Sequence, residues 1–368
     1  MTAFLTLVEL RAAIAAIDPV AYGKTRNFLN GKVSRLSPYV SRGVISTRQI
    51  MESVLKNGYR PFVHEKLMQQ LAWRDYFQRV LQQRPDLHSV SIKREQGEDG
   101  QRIRAGIPQA ILEARTGIEG IDRSIMDLYQ KGYLHNHARM YVASVVTNIA
   151  GGDWRDGARW MYHHLLDADV ASNGCSWQWV CSAFSSKKYY ANQENINRYA
   201  GTRQSGTFLD KTYEELPEMP VPESLKIVEQ PAFQTKLPQT EALNIDPSLP
   251  TYIYTFYNLD PYWHAGEPAN RILLLEPSHF DAYPVSDLTI QFILFLKDSI
   301  PGMQVYVGEY ADLKREHTFG KIVAKEHPLF SFAGAVTEPR DWMFPEVSGY
   351  FPSFFGYWKK CERYLYAR

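Results

Sequence analysis

His163-His-Leu-Leu-Asp-Ala-Asp-Val-Ala-Ser-Asn-Gly-Cys-Ser-Trp-Gln-Trp179 is the stretch on which the reading of this chain turns. Two acids (Asp167, Asp169), an amide (Asn173) and two indoles (Trp177, Trp179) crowd together in a segment otherwise composed for helix. The adjacent histidines raise the idea of a metal site. Neighbouring positions on a helix diverge by about 100°, and no third ligand stands at a metal-binding spacing, so no metal is expected.

Working outward, 7–197 reads as a series of helices. Apolar periodicity runs through 46–56, 64–83, 121–131 and 135–149, broken by short Gly-, Pro- or Ser-containing stretches. From 213 to 250 the text turns to scattered Pro, Gln and Thr without period, as a linker would. Beyond it, 251–257, 271–275, 303–307 and 320–324 read as short buried strands, with helices at 287–298 and 353–363. The expectation is a multidomain chain: an all-α domain (1–212), a linker (213–250) and a small α/β domain (251–368) with a mostly parallel sheet.

Composition narrows the class. With 22% charged and 45% hydrophobic residues, the 368-residue chain is neither disordered nor fibrous. Residues 1–222 carry 28 Lys and Arg against 22 Asp and Glu, and the remainder 13 against 18, so the first part is mildly cationic. That permits a phosphate-bearing partner without requiring one. Three cysteines, Cys175, Cys181 and Cys361, support neither a disulfide framework nor an iron–sulfur cluster and suit a reducing cytoplasm. The opening stretch to Glu9 lacks a cationic leader, and no run approaches a membrane span. Lys32-Val-Ser-Arg-Leu-Ser-Pro-Tyr39 places hydroxyls, backbone amides and two cations before a helix, as a diphosphate would need, although the same letters serve as ordinary caps.

Seven stretches in order carry a resemblance: Tyr22–Arg26, Ser34–Tyr39, Leu71–Phe77, Thr116–Asp122, His135–Met140, Asp153–Trp160 and Asp167–Trp179. Together they resemble the FAD-binding domain of the photolyase and cryptochrome family. The resemblance implies FAD held at Tyr22, Ser34, Arg35, Leu36 and Ser37 on the diphosphate side. Near the isoalloxazine it implies an Arg139–Asp167 pair, Asp169, and Asn173 facing flavin N5. Asn at that place goes with repair enzymes in the family, although an Asn capping a turn gives the same letter. Trp177 and Trp154 match the inner members of an electron relay. Its outermost tryptophan has no counterpart, leaving a tyrosine or Trp160 as the outer step.

For substrate, the resemblance implies a pocket for a flipped-out pyrimidine dimer lined by Trp73, Asn136, Met140 and Trp179. Arg26 and Arg74 add charge at its mouth. Gln70 stands where most dimer photolyases have an acid and is similar to DASH-type cryptochromes, which prefer single-stranded DNA. His137 stands where many relatives have an arginine, and the text from Val180 to Tyr190 departs from the family. The C-terminal strands resemble the family's α/β antenna domain moved to the other end, a circular permutation; an antenna pigment is not legible. The implied function is a DNA photolyase splitting cyclobutane pyrimidine dimers in single- or double-stranded DNA. The alternative is a cryptochrome-like blue-light sensor with a signalling partner.

Overall fold

The computed structural model describes residues 4–61 and 64–367. Met1 to Ala3, in the opening stretch read above, lie outside the described residues. The chain divides into two compact units: Val20–Val33 with Gln83–Phe233, and the described parts of Met1–Pro19, Ser34–Gln82 and Gln234–Arg368.

The unit around 83–233 is helical. Its core joins apolar faces of Glu119–Lys131, Asn136–Ser144, Trp154–His164 and Val170–Val180, with Trp154, Trp160 and Trp177 almost wholly buried. Local chemistry sets the starts: Asp153 caps Trp154–His164 by accepting from Arg155 N, and Asp169 caps Val170–Val180 by accepting from Ser172 N at 2.7 Å. The helix expected over 135–149 is Asn136–Ser144, followed by a π-helical turn at Val145–Ile149. There the Asn148 amide leaves the helix and donates to the carbonyls of Val180 (3.1 Å) and Tyr189 (2.7 Å). Those bonds pin the 180–190 loop.

The stretch expected as a linker is built into both units. Leu216 and Leu225 sit in the helical core. A two-residue strand β1 (Ile107–Pro108) pairs antiparallel with β2 (Val228–Glu229), and Arg104 donates to the carbonyls of Leu225 and Lys226. Buried leucines spaced between prolines carry no periodicity, which is why the sequence reads as unstructured.

In the other unit, β3 (Thr251–Tyr254), β4 (Asn270–Leu275), β5 (Met303–Val307), β6 (Ile322–Lys325) and β7 (Val336–Glu338) form one sheet. Its order is β5-β4-β3-β6-β7, every pair parallel. Chain order reverses direction between β3 and β6, the doubly wound pattern. The central strands are fully buried, hence their continuous apolar text. Residues 240–244 run along β5, where Glu241 N donates to Val305 O at 2.9 Å and Val307 N donates to Thr240 Oγ1 at 3.1 Å. They cover an edge that would otherwise expose backbone donors and acceptors.

This unit also takes the helix Glu65–Gln83, expected in the first domain. Asp75, buried, accepts from Thr47 Oγ1 and from Met343 N, both at 2.8 Å; burial raises its pKa. The helix Phe354–Leu365 packs alongside: Phe354, Tyr357, Trp358, Cys361 and Leu365 are buried, Trp358 Nε1 donates to Glu65, and Tyr76 OH donates to Phe351 O. Burying five such side chains contributes on the order of 10 kcal/mol before chain entropy is charged. The compact units therefore cut across the bounds 1–212, 213–250 and 251–368.

Candidate functional site

In the helical unit the key fragment closes into a cluster. Arg139 Nη2 donates to both Asp167 oxygens (3.0 and 2.8 Å), and its Nε donates to Leu134 O at 2.8 Å. The guanidinium is fixed in plane while 22% of the side chain stays exposed, against 6% for Asp167. Asp169 and Asn173, one turn apart, are also buried. Asn173 Nδ2 donates to Ala158 O at 2.8 Å, so its Oδ1 is the group left to accept from a ligand. Polar groups in an apolar core are costly without hydrogen bonds, and here Asp167 accepts from Arg139, Asp169 accepts from Ser172 N and Asn173 donates to Ala158 O.

Trp177 lies against the backbone of Gly157: a Cβ there would sit 2.3 Å from its ring. Glycine is required for that approach, and Gly157 is flanked one turn either way by Trp154 and Trp160 on the same helix. Among the described residues the indole nitrogens of Trp154 and Trp177 have no hydrogen-bond partner, whereas Trp160 Nε1 donates to Tyr129 OH at 3.1 Å. Tyr129 reaches the surface, and burial pushes its pKa up to about 12. Sequence reading singled out Trp160 or a tyrosine for an outer relay step without naming which, because the Tyr129 contact crosses 31 positions.

Asn136 is exposed and Met140 half-buried one turn later, on the same helix face. Trp179 is exposed, tilted against Tyr189. His137 Nδ1 lies 2.8 Å from Asn27 O, between the rings of Tyr141 and Tyr199, and burial lowers its pKa. Tyr22 is half-buried on Pro19–Thr25, its pKa pushed up to about 12 by burial against the opposing charge of Arg26. His163 and His164 take part in aromatic packing with Phe233 and Tyr129. Among the described residues no group of three or more His, Cys, Asp or Glu side chains is placed to hold a metal ion.

In the α/β unit, Ser34 and Arg35 are exposed, Leu36 is buried and Ser37 opens a short helix. Leu36 can therefore offer a ligand only its backbone. Arg35 has φ 55, a left-handed conformation that a non-glycine residue holds at a cost, usually where a tight turn is needed. Gln70 and Trp73 are half-buried on Glu65–Gln83. Trp73 stacks on Phe354, ring centroids 3.8 Å apart and planes within 9°. No pattern in the letters points to this partner, 281 positions away along the chain.

Arg74, next to Trp73, lines a cavity of about 100 Å³ at the C-terminal ends of β3 and β6, with Asn258, Glu326, His327 and Arg340. This is a different surface from that of Trp73. Tyr257 and His327 stack there at 4.2 Å, and Gly43 lets the backbones approach, since a Cβ would meet Tyr257 O at 2.6 Å. The cavity is smaller than the roughly 300 Å³ at which ligand pockets begin.

Residues 67–253 match the model of the FAD-binding domain of DNA photolyase. The chain belongs to that family. A deoxyribodipyrimidine photo-lyase of Streptomyces griseus is 38% identical over 147 residues, 40% of this chain and 31% of that enzyme. A chloroplastic/mitochondrial cryptochrome DASH of Ostreococcus tauri is 31% identical over 209 residues, 54% of this chain and 37% of that protein. The match thus spans about a third of each of these relatives. The crystal structure of a Synechocystis cryptochrome superposes with a TM-score of 0.45 at 23% identity, covering 60% of this chain and 47% of that one. No helix among the described residues is long and apolar enough to cross a membrane.

Proposed function

We propose that this photolyase-family chain is a blue-light flavoprotein that repairs cyclobutane pyrimidine dimers in DNA. The observation that carries it is the partly exposed Arg139 held on buried Asp167, with Asp169 and Asn173 buried one turn apart at the start of the next helix, a polar set that suits a flavin's polar edge. Bound reduced FAD would supply the electron that opens the cyclobutane ring and would take it back afterwards. Arg139, held by Asp167 and Leu134 O, keeps a positive charge near that edge, and Asn173 offers Oδ1 as a neutral acceptor that cannot deliver a proton. Tyr22 and the Ser34–Ser37 turn serve the diphosphate, with the strained Arg35 backbone setting the turn. Trp177, packed on Gly157, and Trp154, one turn away on the same helix, serve electron relay.

Trp73 and Trp179 supply aromatic faces for the lesion, Asn136 and Gln70 polarise its bases, Met140 lines the wall, and Arg26 adds charge. The α/β domain is a permuted antenna-like domain in this reading, and the protein works in the cytoplasm. The test is repair of a single thymine dimer in single- and double-stranded oligonucleotides by reduced protein under blue light, with a dark control. Light-dependent restoration of thymines is expected; its absence from flavin-loaded protein would sink the repair reading. A cryptochrome-like sensor then takes its place, favoured by the Phe354 ring that already covers one face of Trp73.

A further inference from the structure

The C-terminal helix Phe354–Leu365 has two unlike faces. Its inner face is the apolar set that packs on Glu65–Gln83 and stacks Phe354 on Trp73. Its outer face begins one residue later with Phe355, 69% exposed, and continues through Lys359, Lys360 and Arg363 to Tyr364 (40%) and Tyr366 (50%). Among the described residues none of these three cations is held in an ion pair or a hydrogen bond, so no internal role accounts for their charge. One acid, Glu362, interrupts the series and is half-buried. Cations are ordinary on the solvated face of a helix; what sets this face apart is that three exposed rings, Phe355, Tyr364 and Tyr366, are interleaved with them.

The geometry points to this outer face as a contact surface for single-stranded nucleic acid flanking the lesion. The inference rests on the repair reading above and adds to it a surface outside the matched FAD-binding region, which ends at residue 253. The three cations answer phosphates, and their charge alone would serve any strand. The aromatic rings decide for the unpaired form, because stacking on an exposed ring requires a base whose face is open. Phe355 packs edge-on against Phe354, ring centroids 5.4 Å apart, so the exposed ring is held by the same inner face that stacks on Trp73. The helix is anchored by its buried inner face and therefore offers a fixed platform.

The experiment measures binding of an undamaged single-stranded oligonucleotide by fluorescence anisotropy across a salt series. It compares the full chain, the triple variant Lys359→Ala/Lys360→Ala/Arg363→Ala, and Phe355→Ala. For three phosphate contacts the triple variant should lose about 2 from the slope of log affinity against log salt, and on the order of 100-fold in affinity near 0.1 M salt. Phe355→Ala should lose roughly tenfold with the slope unchanged. Arg315→Ala, an exposed cation elsewhere in the same unit, controls for general charge and should bind as the parent does. A parent-like slope and affinity in the triple variant, with dimer repair intact, overturns the surface and leaves the repair reading standing. Failure of the parent chain to bind any DNA overturns both. Equal loss on duplex and single strands overturns the single-strand assignment.

Discussion

Gly157→Ala should be among the most damaging single-methyl additions in this chain, because the new Cβ would lie 2.3 Å from two ring carbons of a buried tryptophan. A loss of about 1–3 kcal/mol is expected as a lower urea midpoint, accompanied by weaker flavin retention as Trp177 is displaced. Arg139→Gln removes the cation from the buried Asp167 and should cost about 3 kcal/mol. Adding Asp167→Asn to it should restore part of that loss, since two neutral groups can hydrogen-bond where a lone carboxylate cannot. Additive losses in the double variant would show that the pair does not act as a unit. At this scale the sequence was informative where chemistry is local: the crowding of Asp167, Asp169 and Asn173 is visible as letters, whereas the capping by Asp153 and Asp169 emerged only with the structure. Phe354 on Trp73 is not visible, since nothing in a one-dimensional pattern pairs side chains so far apart.

Among elements, the loop before β4 carries a pH-sensitive tie to β7. His264 Nδ1 lies 2.9 Å from Glu267 and Nε2 lies 3.1 Å from Glu338, while Tyr252 stacks on its ring at 4.3 Å. Burial disfavours the imidazolium, but hydrogen bonds and charge from the two glutamates outweigh it and raise the pKa. For Glu267, hydrogen bonds from Tyr252 and His264 lower the pKa. For Glu338, burial is outweighed by bonds from Trp263 and His264, again lowering it. The tie therefore contributes fully below the unfolded histidine value of ~6.5 and above the unfolded glutamate value of ~4.3. It is lost as pH rises through the raised value of His264, or falls through the lowered values of the glutamates. Thermal melts should show stability declining above pH ~6.5 in the parent chain, with that decline flattened in His264→Gln. Helix and strand text located most elements to within a few residues, because buried strands are continuously apolar and helices keep their period. The fifth strand, Val336–Glu338, escaped: it is a short, largely exposed edge with two polar residues in three.

For the whole molecule, the grouping of Ser34–Gln82 with Gln234–Arg368 predicts that a fragment ending at residue 212 will not fold as a unit. It would leave Asp75 without the Met343 amide and Trp73 and Tyr76 without Phe354 and Tyr357. Circular dichroism and urea titration of that fragment should show helix without a cooperative transition; a sharp transition matching the full chain would contradict the grouping. Composition and periodicity made two folding classes legible along the chain, helical then α/β. They could not show which helices each class would recruit, because that choice is made by side-chain packing between distant segments.

That recruitment has a consequence for how the protein is made. The helix Glu65–Gln83 leaves the ribosome about 270 residues ahead of the side chains that cover its apolar face, Phe354 to Leu365. At ordinary elongation rates the wait is roughly fifteen seconds to a minute. The interval is long enough for Trp73, Tyr76 and Phe77 to meet other nascent chains, and newborn protein should depend on a holdase over that interval. Residues 83–233, contiguous but for one short N-terminal piece, can meanwhile collapse as they appear. Birth order and assembly order thus differ in this chain: a helix made before residues 83–233 is covered only by one made after them.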